Sequence, residues 1–319
     1  MDWAQAIRPV EPVDVVFFVY LTLIFLFLAR FGEPGADRVW RVAIHLAFLS
    51  VAAVILVMNI FRSNRFLLFA RVWYVPFFYV FIFEEIGKMI HLIRPMFHDG
   101  WVLALEVKTF GGYPTVWLQD LATPWLTELM SFFYMTYYFL IPVLGLNLYT
   151  RREWKPLNDL ILTTGVTFFF CFLHYLFMPV LGPIFHPETL PFDLVSLQAG
   201  PLTTFEQWLF FKGSIQGGAF PSSHVAVAVV VLSSAFRTRR YPWVFLITVT
   251  GLAVSTVYNG YHYGVDVIYG VVAGLVFSLV CPVLNARCRR FWPSSQGKAI
   301  SPSEPDSAEF DQPRVSSGS

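Results

Sequence analysis

Apolar runs of about twenty residues recur along this chain, and few architectures tolerate that pattern. A helix rises about 1.5 Å per residue, so about 20 apolar residues cross the roughly 30 Å hydrocarbon layer of a bilayer. Eight runs meet the requirement: 14–30, 40–60, 66–86, 126–148, 158–180, 219–236, 242–259 and 263–284. Backbone N–H and C=O groups find no water in hydrocarbon, which leaves helices and closed barrels as the spanning structures. Runs of this length select the helix. The expected fold is all-α, a polytopic membrane helical bundle of about eight transmembrane helices. Charged residues make up 13% of the chain, about half the roughly 25% of a soluble domain, so the bilayer is the expected solvent. A net charge of +1 supplies no field for nucleic acid, and none is expected as a partner.

The run Val15–Ala29 follows Glu11 and Asp14 and precedes no small-residue cleavage site, so it reads as a retained span. The stretch 100–124 is interrupted by glycine and proline and mixes Trp101 and Trp117, with Trp125 just beyond it, with charge, and a shorter piece at 203–213 sets Trp208 between Glu206 and Lys212. Both suit the membrane interface. Basic clusters at Arg62/Arg65, Arg151/Arg152/Lys155, Arg237/Arg239/Arg240 and Arg287/Arg289/Arg290 fall on one side of eight spans. The positive-inside rule makes that side cytoplasmic, with Arg38 and Arg41 dissenting. Three parts follow: N-terminal helices with an interfacial segment over 1–125, a membrane core over 126–285, and a tail over 286–319 whose low hydrophobicity predicts disorder. Cys171, Cys281 and Cys288 show no metal-ligand spacing.

Chemistry concentrates at helix ends on the face away from the basic clusters. Phe220-Pro221-Ser222-Ser223-His224 opens span six, Ser255 lies near the end of span seven, and His262 and Asp266 open span eight. An (i, i+4) pair shares a helix face, so Asp266 is expected to hold one imidazole nitrogen of His262 and leave the other nucleophilic. With Pro221 in the first helical position, the N–H groups of Ser222 and Ser223 would cradle phosphate oxygens at a positive helix terminus. His224 would then protonate a leaving alkoxide. Two histidines and a carboxylate also suit iron, but the serines and helix-terminal N–H groups suit an anion.

These residues carry a resemblance. Phe-Pro-Ser-Ser-His followed by Ser255-x6-His262-x3-Asp266 resembles the second and third motifs of the type 2 phosphatidic acid phosphatase superfamily. Gly-Gly-Ala-Phe-Pro-Ser-Ser-His and Tyr-His-Tyr-Gly-Val-Asp look like the branch of inositol phosphorylceramide synthases and their bacterial relatives, and Met178-Pro179-Val180-Leu181-Gly182-Pro183 resembles its first motif. The resemblance covers roughly 126–285. It implies a lipid phosphate or phospholipid substrate, a phosphohistidine on His262 supported by Asp266, His224 as general acid, and no metal or other cofactor. It also implies a bacterial inner membrane, and the charge pattern turns the site outward.

The likeness exposes departures. Thr256 stands where the third motif usually has arginine, and Met178 to His186 supplies neither the lysine nor the arginine of the first. Such cations can be worth orders of magnitude in rate. Lys212, ahead of the Phe-Pro-Ser-Ser-His segment, is the expected replacement, joined by Ser222, Ser223 and Ser255 in binding the phosphate. Lys88 stands four residues after Glu84, an ion-pair spacing, and Arg94 suits lipid phosphates. The missing cations also admit a non-catalytic reading, a lipid-binding scaffold or transporter that retains the fold.

Overall fold

A computed structural model describes residues 10–32, 34–61, 64–186, 190 and 197–291. Arg62 and nearly all of the expected disordered tail lie outside them. The described chain is all-α: α1 (Pro12–Phe31), α2 (Ala36–Phe61), α3 (Arg65–Gly87), α4 (Asp99–Phe110), α5 (Pro114–Gln119), α6 (Pro124–Thr150), α7 (Trp154–Phe177), α8 (Pro201–Gly213), α9 (Ser223–Thr238), α10 (Pro242–Tyr258) and α11 (Gly264–Phe291). Six of them, α1, α2, α3, α6, α7 and α11, are long and apolar enough to cross a membrane, while α9 and α10 are shorter apolar helices. With 16 residues, α9 covers about 24 Å and stops short of a roughly 30 Å layer. The segment 100–124 forms α4 and α5, and the piece at 203–213 forms most of α8; all three are too short to span.

Helix ends inside such a bundle leave backbone donors that need partners. Acidic side chains supply them. Glu106 accepts the Gly264 and Val265 N–H groups at 2.9 Å each, where α11 begins. Glu128 on α6 takes Gly200, Leu202 and Thr203 at the start of α8. Asp99 holds the Leu181 and Gly182 N–H groups and the Tyr263 hydroxyl.

The opposite end is stitched by charge. Asp14 on α1 pairs with Arg71 on α3 and accepts the Tyr74 hydroxyl at 2.5 Å. Arg289 near the end of α11 meets Glu11 at 2.7 Å, Asn285 donates to Asp159 of α7 at 2.5 Å, and Arg240 pairs with Glu153. The basic stretches around Arg151 and Arg239 lie at this end, because α6 and α9 terminate there.

The most extensive helix packing joins α9 to α11. Gly270 and Gly274, four residues apart on α11, bring the two backbones together. A Cβ on Gly270 would fall 2.7 Å from the Ser222 carbonyl oxygen, and one on Gly274 would fall 2.4 Å from that of Ala226. Small residues at this spacing let helices approach in a bilayer. The Gly274→Val protein is expected to be destabilised by about 1–3 kcal/mol through overpacking. A thermal melt in detergent checks this; an unchanged melting temperature would mean the helices can part freely.

Candidate active site

The site forms where the tops of α6, α7, α9 and α11 converge. After α7 the chain runs extended through Met178–Gly182 and pairs with the segment leading to α9. Val180 donates to the Gly217 carbonyl at 3.1 Å, and Ala219 donates back to Val180 at 2.9 Å. This is the isolated parallel bridge between Val180 and Gly218. Gly217 sits at φ 106°, a conformation open to glycine at little cost. The pairing fixes the Ala219 carbonyl, and that carbonyl lies 2.8 Å from His262 Nδ1.

A carbonyl only accepts, so His262 Nδ1 carries the proton and the neutral ring keeps a bare Nε2. Nε2 faces His224 Nδ1 at 3.4 Å, and His224 Nε2 lies 3.3 Å from the Tyr134 hydroxyl. One proton order satisfies the row. Tyr134 O–H donates to His224 Nε2, and His224 Nδ1–H points at His262 Nε2. His262 lies between α10 and α11 and is buried; burial lowers its pKa to about 4, so the ring is neutral at ordinary pH.

Asp266 departs from expectation. Its Oδ2 stands 3.6 Å from His262 Nδ1 and instead accepts the Tyr263 N–H at 2.8 Å. The reason is local: α11 begins at Gly264, so His262 precedes the helix and the (i, i+4) rule for two helical residues does not apply. Asp266 therefore stands beside the imidazole without the hydrogen bond expected of it. Pro221 also departs from its expected helical position. Ser222 is the N-cap, its hydroxyl accepting the Val225 N–H at 3.4 Å and its own N–H bonding the Asp266 carbonyl at 3.2 Å. A serine side chain caps a helix where proline cannot. The first-turn N–H groups are those of Ser223 and His224, and both residues line the cavity.

Ser255 is buried and its hydroxyl bonds the Leu252 carbonyl of its own helix. Lys212 is exposed near the end of α8 and does not line the cavity. Lys88 is held by Glu84 at 2.9 Å and Glu85 at 2.8 Å, and Arg94 is exposed. Among the described residues, no lysine or arginine lines the cavity, and no group of three His, Cys, Asp or Glu is arranged to hold a metal ion.

The walls are aromatic instead. Tyr134, Tyr137 and Tyr138 of α6 face it, with Tyr261 stacked on Phe210 at 3.7 Å. Tyr137 packs on His224 at 4.3 Å. Behind Tyr261, Glu206 of α8 is buried, and burial raises its pKa to about 7. None of these side chains stood out in the sequence, although 134, 137 and 138 share one helical face.

A family model described as the PAP2 superfamily matches residues 101–280, more than half of the chain's 319 residues. The chain belongs to that superfamily. Neither the curated proteins nor the solved structures yield a match. Superfamily members are generally phosphatases acting on phosphate esters. The match begins at residue 101 and so takes in α4 and α5, with Glu106. The tautomer is directly testable. In protein carrying 15N-histidine, His262 is expected as the Nδ1–H form at pH 7, becoming imidazolium only as pH falls through about 4. An Nε2–H form would overturn the proton order.

Proposed function

We propose that the protein is a membrane-embedded lipid phosphate phosphatase or phosphotransferase, similar to inositol phosphorylceramide synthases, that works through a phosphohistidine on His262. The observation that carries this reading is the histidine pair, with the bare Nε2 of His262 facing a protonated Nδ1 of His224 at 3.4 Å. A phosphoryl group entering between them would meet a nucleophile on one side and a proton donor on the other.

The steps balance. His224 enters as the imidazolium, its second proton taken up with the substrate. His262 Nε2 gives its lone pair to phosphorus, and the ester P–O bond breaks toward the leaving oxygen, which takes the proton from His224 Nδ1 and leaves that ring neutral. Positive charge then spreads over the substituted imidazole, 3.6 Å from the Asp266 carboxylate. Water or an alcohol next attacks phosphorus, its proton passes to His224, and the P–N bond breaks to restore His262. Phosphate oxygens would lie at the α9 terminus, against the N–H groups of Ser223 and His224. Tyrosine hydroxyls would stand in for the missing cations. We further propose that the site faces outward, because the basic clusters gather at the opposite end, and, on the family resemblance, that the membrane is a bacterial inner membrane.

One observation favours a second reading, a lipid-binding scaffold or transporter: no cation lines the cavity among the described residues. Phosphate release from a panel of lipid phosphates, measured with chelator present, separates the two. Both His262→Ala and His224→Ala are expected to lower the rate by a factor of about 10² to 10⁴. Silence from folded wild type, in release and in headgroup transfer alike, would favour the scaffold. The acid limb of kcat/KM should follow the free enzyme's His262, falling near pH 4 instead of near 6.5.

A further inference from the structure

The cavity beside the histidine pair extends away from the superfamily-matched region and reaches α3, whose Tyr79, Val80 and Phe83 line it. Its volume is about 250 Å³, below the roughly 300–1,000 Å³ of a site that encloses a drug-sized ligand. A lipid cannot fit inside, so most of it must lie beyond the walls.

The packing of α3 against α6 shows where. The two helices run antiparallel and touch at the end remote from the histidines. Trp73 fills the space over Gly145, where a Cβ would fall 2.6 Å from the indole, and Phe69 meets Tyr149 edge-on at 5.7 Å. Two helical turns nearer the site, Val80 lies seven residues from Trp73 and Tyr138 seven from Gly145. At this level both residues line the cavity and both are exposed on the outer surface, Val80 by 71% and Tyr138 by 42%. The seam is closed below and open above. Its opening lies about 10 Å from the Gly87 end of α3 at 1.5 Å per residue, at a depth where the surroundings are hydrocarbon.

We propose that the gap between Val80 and Tyr138 is a lateral portal through which a hydrocarbon tail of the substrate extends from the histidine pair into the bilayer, so that α3 selects the tail. The inference rests on the proposed action on lipid phosphates. The inner walls suit a chain of methylenes: Phe83, Phe168 and Phe172 offer no polar group, and the Tyr79 hydroxyl is turned to Thr164 at 3.2 Å. A water-filled route would expose those rings to solvent at about 25 cal/mol per Å², whereas a lipid tail covers them. Because α3 precedes residue 101, selection of the tail would belong to the part of the chain outside the superfamily match.

Phosphate release in nanodiscs, from long-chain phosphatidate and from its dihexanoyl analogue, reads the portal as a ratio of rates. Val80→Trp is expected to lower the long-chain to short-chain ratio at least tenfold, while Phe77→Trp, on the lipid-facing side of α3, leaves it unchanged. An unaltered ratio in Val80→Trp would overturn the portal. A second measurement does not depend on turnover or on the variant folding. Wild-type protein is irradiated with phosphatidate bearing a diazirine along its acyl chain. Crosslinks at residues 79–83 and 137–138 support the portal, and crosslinks confined to other helices overturn it. If wild type releases phosphate from nothing yet crosslinks there, the portal stands and the enzymatic reading falls.

Discussion

Asp99 gives the site its fixed point by satisfying two backbone N–H groups that hydrocarbon would have left bare. Leu181 and Gly182 follow the break after α7, where the chain is neither helix nor strand and its donors have no internal partner. A buried amide without an acceptor costs roughly 1–3 kcal/mol, and lipid makes that cost hard to escape. With the carboxylate in place, the extended segment is free to pair Val180 with Ala219. The Ala219 carbonyl is then held where it accepts the His262 Nδ1–H hydrogen bond. The same carboxylate receives the Tyr263 hydroxyl, so one group anchors both chain segments that flank His262. Glu106 repeats the device where α11 starts. The His262 ring is thus oriented from behind by a backbone carbonyl, and its Nε2 is left facing His224 beside the cavity.

The N-terminal spans complete the site without entering its chemistry. The buried Asp14–Arg71 pair locks α1 to α3 at the end away from the histidines. A buried ion pair adds little net stability, but breaking it by removing one partner costs about 3–5 kcal/mol, so it disfavours other registers. With α3 so set, Tyr79, Val80 and Phe83 form one wall of the cavity. The core that carries the superfamily match therefore works against a wall contributed by the preceding helices.

Much of this was legible in the sequence, for physical reasons. The spanning helices announce themselves because hydrocarbon imposes one length and one composition. His224, His262 and Asp266 stand out because charged or titratable groups are scarce in such runs, and the structure brings all three together. The Glu84–Lys88 pairing was legible from its spacing. Other features have no local sign. The partner of His262 is a backbone carbonyl, which every residue possesses. Asp99 acts on residues 82 or more positions away. Tyr134, Tyr137 and Tyr138 share a helical face but are hidden among 34 phenylalanines and 14 tyrosines. The start of α9 was misplaced because proline and serine compete for adjacent cap positions, and serine's hydroxyl decides. Lys212 lies in the expected stretch of chain, but on an exposed face of α8.

The glycine contacts between α9 and α11 bear on how the bilayer itself can influence this protein. Side chains change rotamer under lateral pressure, but two backbones in contact are a hard stop. Gly270 and Gly274 set that stop directly beside Ser222 and Ala226, which bracket His224, while the same helix carries Asp266. Compression of the membrane therefore has little room to shorten the distance between His224 and the start of α11. The seam between α3 and α6 has no such stop above Trp73. Under the proposed action on lipid phosphates, a stiffer or thicker membrane would act on how fast lipid arrives, leaving the geometry of the two histidines as it was.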